Sequence, residues 1–127
     1  MAQHNDLGHA GEQFACEMLI AKGMVIRELN WRLNHLEIDI VAYEEGARLL
    51  HIVEVKTRTA NDAFDFTQAI TAHKRRLLIN AANGYVRHYN LNVDVQFDVV
   101  IVQVNADGEM SLDYYPNAFD VPLHCYH

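Results

Sequence analysis

The spacing of apolar residues along the chain predicts two helices. Between Asn5, a good helix cap, and Gly23, apolar residues recur every three or four positions, so we expect a helix over residues 6–22. The same spacing returns from Phe66 to Val86 and predicts a second helix there. Each helix would bury its apolar stripe against another element of the fold.

Alternating and continuous apolar runs predict strands. They cover residues 24–33 (a strand or an extended arm), 36–43, 49–58, 93–105 and 109–115. Turn residues at 44–47 and 106–108 indicate antiparallel hairpins, and residues 57–65 have the composition of a loop. In the second strand, strict alternation would place the apolar residues at 36, 38, 40 and 42 on one face, with Glu37 and Asp39 on the other.

The order of helix, three strands, helix and two strands indicates a single α/β domain over residues 1–127. Hydrophobic residues make up 50% of the chain and charged residues 21%, which is typical of a soluble globular protein. We expect a cytoplasmic location and no membrane partner, because no apolar run approaches the roughly 18 residues of a membrane span and no signal peptide is evident. Cys16, Cys125 and the histidines lack the spacing of a metal site and are assigned no role.

The net charge of −7 counts against broad electrostatic binding of nucleic acid. Residues 48–87 are nevertheless basic, because this stretch contains seven lysines and arginines and only three acidic residues. The basic residues are Arg48, Lys56, Arg58, Lys74, Arg75, Arg76 and Arg87. A local phosphate-binding face and an ordinary solvated helix face would both explain this stretch.

Glu54 and Lys56 are charged residues near the end of an otherwise apolar strand. Side chains alternate along a strand, so both point to the same side of the sheet. A charge buried in a central strand needs a partner, a metal ion or a changed protonation state. Two interpretations follow: a structural ion pair at a partly exposed strand end, or a catalytic pair.

Other acidic residues also interrupt apolar elements, namely Glu12, Glu37, Asp39 and Asp98. Glu12 follows Gly8 and Gly11, and glycines inside a helix suggest close backbone approach, although a Glu reaching solvent at the helix boundary is the alternative. Carboxylates from adjacent strands, with a backbone carbonyl, suit Mg²⁺, and a nearby lysine can orient water or stabilise phosphate charge. Asp39 with Glu54-Val55-Lys56 therefore outlines a metal-dependent phosphodiesterase site.

Motifs along most of the chain resemble those of one bacterial family. They are Gly8-His9-Ala10-Gly11-Glu12 with Ala15, Asn30-Trp31-Arg32, Glu37-Ile38-Asp39-Ile40-Val41-Ala42, Val53-Glu54-Val55-Lys56-Thr57-Arg58, residues 74–85, and Gln96-Phe97-Asp98-Val99-Val100. The combination resembles the YraN-like family of small predicted endonucleases, distant relatives of archaeal Holliday junction resolvases in the PD-(D/E)XK, or restriction-endonuclease-like, superfamily. The chain departs from the family pattern at Leu36, where Gly is usual, and at Gln96, where Arg is usual.

The resemblance implies a restriction-endonuclease-like αβββαβ core with a central mixed sheet flanked by helices. In such a core, Asp39, Glu54 and the Val55 carbonyl would bind one or two Mg²⁺ ions, with Mn²⁺ as a substitute, and Lys56 would position the attacking water. Glu12 would add a further acidic group to the metal site. Residues that would contact phosphate or support the site are Glu37, Arg58, Gln68 and Lys74.

Three functions are compatible with these residues. The first is a Mg²⁺-dependent endonuclease acting on DNA, with branched or flapped repair and recombination intermediates as candidate substrates. The second is a non-catalytic nucleic-acid-binding or adaptor protein on the same fold, and the third is an enzyme acting on RNA or a nucleotide. Because resolvases act as dimers, the resemblance also implies a homodimer by analogy.

Overall fold

The computed structural model describes residues 4–59 and 70–121. In chain order the elements are α1 (His4–Ala21), β1 (Val25–Leu33), β2 (Leu36–Glu44), a 3-10 turn (Glu45–Ala47), β3 (Leu49–Thr59), α2 (Ala72–His88), β4 (Asp94–Val104) and β5 (Met110–Tyr115). The predicted α/β class and the αβββαβ order are confirmed. The stretch predicted as a strand or an extended arm is strand β1.

The five strands form one mixed sheet in the order β1-β2-β3-β4-β5. Strand β2 is antiparallel to both β1 and β3. Strand β4 is parallel to β3, and β5 is antiparallel to β4. Both predicted hairpins are therefore present. The arrangement is consistent with a restriction-endonuclease-like core, in which the parallel pair is joined by a crossover that contains a helix.

Each helix packs on its own apolar cluster against the sheet. The α1 core contains Ala15, Cys16, Leu19, Ile40, Ala42, Val53, Val100 and Val102. The α2 core contains Leu78, Tyr85, Ile38, Val41, Leu50, Ile52, Val99 and Ile101, among others. Neighbouring residues of β3 and β4 divide between the two cores, so the central strands are buried on both faces, as expected for strands covered by helices.

The helix ends differ in part from the predicted ones. Gly23, with a φ of 94°, is the second residue after α1 and adopts the left-handed conformation that commonly closes a helix. The predicted start of the second helix at Phe66 is wrong for Ile70 and Thr71, because α2 begins at Ala72; residues 66–69 lie outside the described residues. Thr71 is extended, and its side chain accepts a hydrogen bond from the Lys74 N–H at 3.1 Å, which caps the helix. Within the described ranges, no helix is long and apolar enough to cross a membrane.

Strand β2 does not alternate strictly, so the predicted faces are wrong in part. Ile38 lies in the α2 core, whereas Ile40 and Ala42 lie in the α1 core. Residues separated by two positions share a face in a regular strand, so the strand must change face between Ile38 and Ile40. Asp39 lies at that change of face.

Candidate functional site

The carboxyl groups of Asp39 and Glu54 meet where β2 and β3 separate. The last pair between these strands is Ile40 with Val53, and one residue beyond it the two acidic residues follow on opposite strands. The Val55 N–H donates a hydrogen bond to Asp39 Oδ2 at 2.9 Å, and the Glu54 carboxyl group lies close enough to raise the pKa of Asp39. Glu54 is buried, with 2% of its surface exposed. The hairpin alone leaves open whether Asp39 and Glu54 meet, because this depends on the register, and the observed register places them opposite each other.

The environment of Asp39 opposes its negative charge. Burial, followed by repulsion from Glu54, raises its pKa from 3.8 to about 8, and the charge on Glu12 acts in the same direction. The hydrogen bond from the Val55 N–H lowers the pKa, but by less. The protein alone therefore disfavours the ionised form of Asp39, and a nearby cation would favour it.

Two lysines converge on one oxygen of Glu54. Lys56 Nζ lies 3.4 Å from Glu54 Oε2, and Lys74 Nζ lies 3.3 Å from the same atom. Lys56 follows Glu54 on β3, whereas Lys74 comes from the first turn of α2. Both lysine side chains are about one-third exposed, at 33% and 34%, whereas the Glu54 side chain is buried beneath them.

Helix α1 brings Glu12 towards the same carboxyl groups. Gly11 packs directly on Thr57 of β3, and a Cβ atom at position 11 would overlap the threonine hydroxyl. The close approach predicted from the helix glycines is confirmed at Gly11, whereas at Gly8 a Cβ would meet no atom of the described residues within 4 Å. Glu12 Oε1 accepts a hydrogen bond from Asn30 Nδ2 at 3.0 Å.

The remaining predicted residues are not gathered around the two carboxyl groups in the same way. Glu37 pairs with Arg32 across the β1–β2 hairpin, with 3.7 Å between Glu37 Oε2 and the guanidinium nitrogen, in a partly exposed position. Arg58 lies beyond Lys56 on β3, and its guanidinium makes a long contact of 3.5 Å to the Thr57 carbonyl. Gln68 lies outside the described residues.

The donor set of this site consists of oxygen atoms. Among residues 4–59 and 70–121, no group of three or more histidine, cysteine, aspartate and glutamate side chains is already arranged to hold a metal ion. The groups that could contribute ligands are the Asp39 and Glu54 carboxylates and the Val55 carbonyl, and Glu12 is close enough to affect the pKa of Asp39. Such hard oxygen donors suit Mg²⁺ or Mn²⁺ rather than softer metals.

A second buried polar cluster, which sequence reasoning missed, lies further back along β3. His51 Nδ1 lies 2.6 Å from Asp98 Oδ2, and His51 Nε2 lies 3.0 Å from Glu44 Oε1. His51 and Asp98 have only 2% and 1% of their surfaces exposed. Both ring nitrogens face carboxylate oxygens, which favours the doubly protonated imidazolium. We call this group, with the further partners of Asp98, the His51–Asp98 cluster.

Asp98 is fully surrounded by hydrogen-bond donors. Besides His51, it accepts hydrogen bonds from the Tyr114 hydroxyl at 2.7 Å, from Gln96 Nε2 at 2.9 Å and from the Asn117 N–H at 3.0 Å. Gln96, which departs from the family pattern, is therefore part of this cluster. The sequence signal was limited to a histidine and an aspartate that interrupt apolar runs, and their pairing depends on the parallel register of β3 and β4.

Comparison with known proteins gives the family of this chain. The model of "Uncharacterised protein family UPF0102" matches residues 11–102. The chain belongs to the UPF0102 family. It is 42% identical over 124 residues to a UPF0102 protein of Porphyromonas gingivalis, which covers 97% of this chain and 90% of the relative. It is also 39% identical over 123 residues to a UPF0102 protein of Bacteroides thetaiotaomicron, covering 97% and 99% of the two chains.

A third relative extends the same result to another genus. A UPF0102 protein of Flavobacterium psychrophilum is 39% identical over 119 residues, covering 94% of this chain and 98% of the relative. The matched segment of the family model includes α1 from Gly11 onwards, the β2–β3 hairpin and most of β4. Both the Asp39–Glu54 site and the His51–Asp98 cluster have residues in that segment of this UPF0102 protein.

Proposed function

We propose that this UPF0102 protein is a metal-dependent phosphodiesterase of the PD-(D/E)XK superfamily, an endonuclease that hydrolyses DNA. The observation that carries the proposal is the pairing of the half-buried Asp39 carboxyl group with the buried Glu54 carboxyl group at the point where β2 and β3 separate. Two adjacent carboxyl groups repel each other when both are ionised, and a cation bound between them would remove that repulsion. Perturbed carboxyl groups of this kind are concentrated at functional sites.

The residues present fit a divalent cation. Asp39, Glu54 and the Val55 carbonyl would hold it, and Glu12 would add negative charge from the α1 side. When bound, Mg²⁺ or Mn²⁺ would polarise the scissile phosphate and neutralise developing negative charge. The raised pKa of Asp39 fits this role, because a nearby cation favours the ionised carboxylate that the protein alone disfavours.

Lys56 and Lys74 would contact the phosphate of the substrate and the attacking water. Lys56 lies on the same side of β3 as Glu54, and its ammonium group can donate hydrogen bonds to a water molecule or to a phosphate oxygen. Lys74 reaches Glu54 from α2, so it can turn towards a phosphate when the Glu54 charge is compensated by a cation. Both ammonium groups would oppose the charge that builds up on the phosphate during attack.

The finer parts of the proposal rest on the family resemblance. They are a branched or flapped DNA substrate from repair or recombination, a homodimer and a cytoplasmic location. The net charge of −7 makes the basic residues between positions 48 and 87 the part of the chain best suited to a DNA backbone. Arg58 and Lys74 belong to that part.

One observation favours a second candidate, a non-catalytic nucleic-acid-binding or adaptor protein on the same fold. Lys56 and Lys74 already compensate the charge of Glu54 without a metal ion, so the three side chains could be a structural ion-pair cluster. In that case the carboxyl groups would need no cation. Binding of DNA would then be independent of both Asp39 and Glu54.

A cleavage assay separates the two candidates. Labelled single-stranded, duplex, flap and four-way-junction DNA, with a matched RNA, would be incubated with the protein and Mg²⁺ or Mn²⁺. We expect cleavage of at least one DNA, reduced about 100-fold or more in Glu54→Gln and Lys56→Met. Glu45→Gln, in the exposed 3-10 turn, and Lys22→Met, after α1, are the matched controls and should cleave as the wild type.

The opposite result would support the adaptor. If no substrate is cleaved with either metal, while DNA binding is equal in the wild type, Glu54→Gln and Lys56→Met, the catalytic proposal is wrong. Cleavage of the RNA alone would instead support the third function considered above.

A metal titration tests the site without any substrate. Mg²⁺ or Mn²⁺ at about 100 times its dissociation constant should stabilise the wild-type protein by about 2.7 kcal/mol, seen as a higher melting temperature. Asp39→Asn and Glu54→Gln should lose this response, whereas Glu45→Gln should keep it. Equal responses in all four proteins would show that the metal binds elsewhere.

A further inference from the structure

Asn30 has an unusual backbone conformation within β1. Its φ is 51°, in the left-handed region, which among non-glycine residues is most accessible to asparagine and aspartate. Its side chain is also engaged, since Asn30 Nδ2 donates to Glu12 Oε1 at 3.0 Å. Asparagine here therefore combines a special backbone geometry with a contact to the α1 side of the candidate site.

Asn30 lies opposite Asp39, at the position where both strands change face. The pairs on either side are Leu29 with Ile40 and Trp31 with Ile38. Ile40 packs in the α1 core, whereas Trp31 and Ile38 pack in the α2 core. In two regular strands, the side chains of these pairs would point to the same face of the sheet. Here the side chains change from one face to the other between the two pairs.

The left-handed residue in β1 accounts for this change of face. A single residue in the left-handed region rotates the following side chains relative to the preceding ones, as seen where Asn or Gly re-aims a strand. The side chains of strand β2 change from one face of the sheet to the other at Asp39, opposite Asn30. The change of face therefore occurs at the same place in both strands. Asp39 consequently reaches the β3 backbone, where it accepts the Val55 N–H at 2.9 Å.

We propose that Asn30 is a positioning residue for the Asp39–Glu54 site. Its backbone sets the direction of the Asp39 carboxyl group, and its amide fixes the Glu12 carboxylate on the other side of the same site. One residue thus orients two acidic groups that come from different elements. This inference rests on the proposed function, because it assigns Asn30 a part in binding the divalent cation.

Substitutions separate the two roles of Asn30. Asn30→Gly keeps the left-handed backbone accessible and removes the amide, whereas Asn30→Ala removes the amide and disfavours the backbone conformation. The affinity for Mn²⁺ alone would be measured by calorimetry and by the paramagnetic resonance of the free ion. We expect about a tenfold loss in Asn30→Gly and roughly a 100-fold loss in Asn30→Ala, the range typical of residues that orient metal ligands.

Asn34 provides the matched control. It also has a left-handed backbone, with a φ of 56°, but it lies in the turn between β1 and β2. Asn34→Gly and Asn34→Ala test the same changes of backbone preference away from the two carboxyl groups. Both should bind Mn²⁺ with the affinity of the wild type.

A hydrogen-bond swap tests the contact with Glu12 directly. In Asn30→Asp, two carboxylates face each other, so Mn²⁺ affinity should depend more steeply on pH than in the wild type. In the double variant Asn30→Asp with Glu12→Gln, the amide and the carboxylate exchange places and the hydrogen bond can form again. We expect Mn²⁺ affinity of this double variant to exceed the value obtained by adding the effects of the two single variants.

The outcomes distinguish the inference from the proposed function. If Asn30→Gly and Asn30→Ala bind Mn²⁺ as the wild type does, while Asp39→Asn loses binding, Asn30 has no positioning role and the proposed function stands. If the wild type does not bind Mn²⁺, both are wrong. Equal losses in the Asn30 and Asn34 variants would assign the effect to general destabilisation and overturn the inference.

Discussion

Asp39 and Asp98 lie on strands of the same sheet, but their surroundings shift the pKa values of the two carboxyl groups in opposite directions. Burial alone would raise the pKa of Asp98, but hydrogen bonds from His51, Tyr114, Gln96 and Asn117 outweigh it and lower the pKa. Burial and the neighbouring Glu54 raise the pKa of Asp39 to about 8. Asp98 is therefore a stable anion, whereas Asp39 is a carboxyl group that ionises only with difficulty.

The difference separates a buried acid that the protein itself neutralises from one that suits the proposed metal site. Burial alone would lower the pKa of His51, but the hydrogen bonds and charges of Asp98 and Glu44 raise it, so the histidine and the aspartate stabilise each other's charged forms. Glu54, in contrast, destabilises the charged form of Asp39. An acid that is surrounded by hydrogen-bond donors of the protein holds strands together. An acid that lies beside other carboxyl groups is suited to receive a cation from outside.

The largest expected effect comes from the same substitution at both aspartates. Asp98→Asn should lower the free energy of unfolding by about 3–5 kcal/mol, because it removes the charged partner of the buried His51 and breaks a buried ion pair. Asp39→Asn should instead raise it at pH 7, because Asp39 ionises in the unfolded chain at that pH whereas the folded protein disfavours its charge, a penalty that asparagine does not carry. Urea unfolding of both variants provides the measurement, and equal losses would contradict the comparison.

The pH dependence of stability should separate the two sites next. A raised pKa in the folded state means that the unfolded chain ionises first, so Asp39 should make stability fall as pH rises from 3.8 towards about 8. The lowered pKa of Asp98 acts in reverse: its contribution is present above its usual value of 3.8 and is lost as pH falls through the folded value. We expect Asp39→Asn to flatten the first slope and Asp98→Asn to remove the second.

His51 adds a third contribution that the same experiment resolves. Its pKa is raised from 6.5, so its stabilising effect is complete below that pH and is lost as pH rises through the folded value. This loss should persist in Asp39→Asn. The measurement is the free energy of urea unfolding between pH 3 and 9, and a wild-type stability that rises between pH 4 and 8 would contradict the assignment for Asp39.

The smallest effects concern the outer members of each site. Tyr114→Phe removes one donor from Asp98 and should lower the free energy of unfolding by about 1.5 kcal/mol. Lys74→Ala removes a partly exposed partner of Glu54 and should change it by less than about 1 kcal/mol. Thermal unfolding of the two variants at pH 7 compares them directly, and a larger loss in Lys74→Ala would make its ion pair a structural one.

The sequence contained enough to predict the order of the elements and both hairpins. Turn residues and alternating apolar positions are local signals, so residues 44–47 and 106–108 marked the joins between paired strands correctly. The same hairpin brought Asp39 towards Glu54. Lys74 was assigned a supporting role, and its contact with Glu54 depends on where α2 begins, which the capping by Thr71 decides.

Two parts of the structure left no local signal. The change of face at Asp39 depends on the left-handed φ of Asn30 on another strand. Alternation alone predicts that the apolar side chains of β2 all point to one face of the sheet. The His51–Asp98 contact joins residues 47 positions apart through the parallel register of β3 and β4. Register between strands that are distant in sequence is set by the packing of the whole sheet.

The parallel pairing of β3 with β4 also has a consequence for the order of folding. Asp39 and the Val55 N–H are 16 residues apart and belong to a hairpin, which closes a short loop and forms on a timescale of about 1–10 μs in isolation. The His51–Asp98 contact, across 47 residues, requires α2 and its connections to be in place first. The acidic pair should therefore assemble early in the folding reaction, and the closing of the central sheet around His51 should complete it.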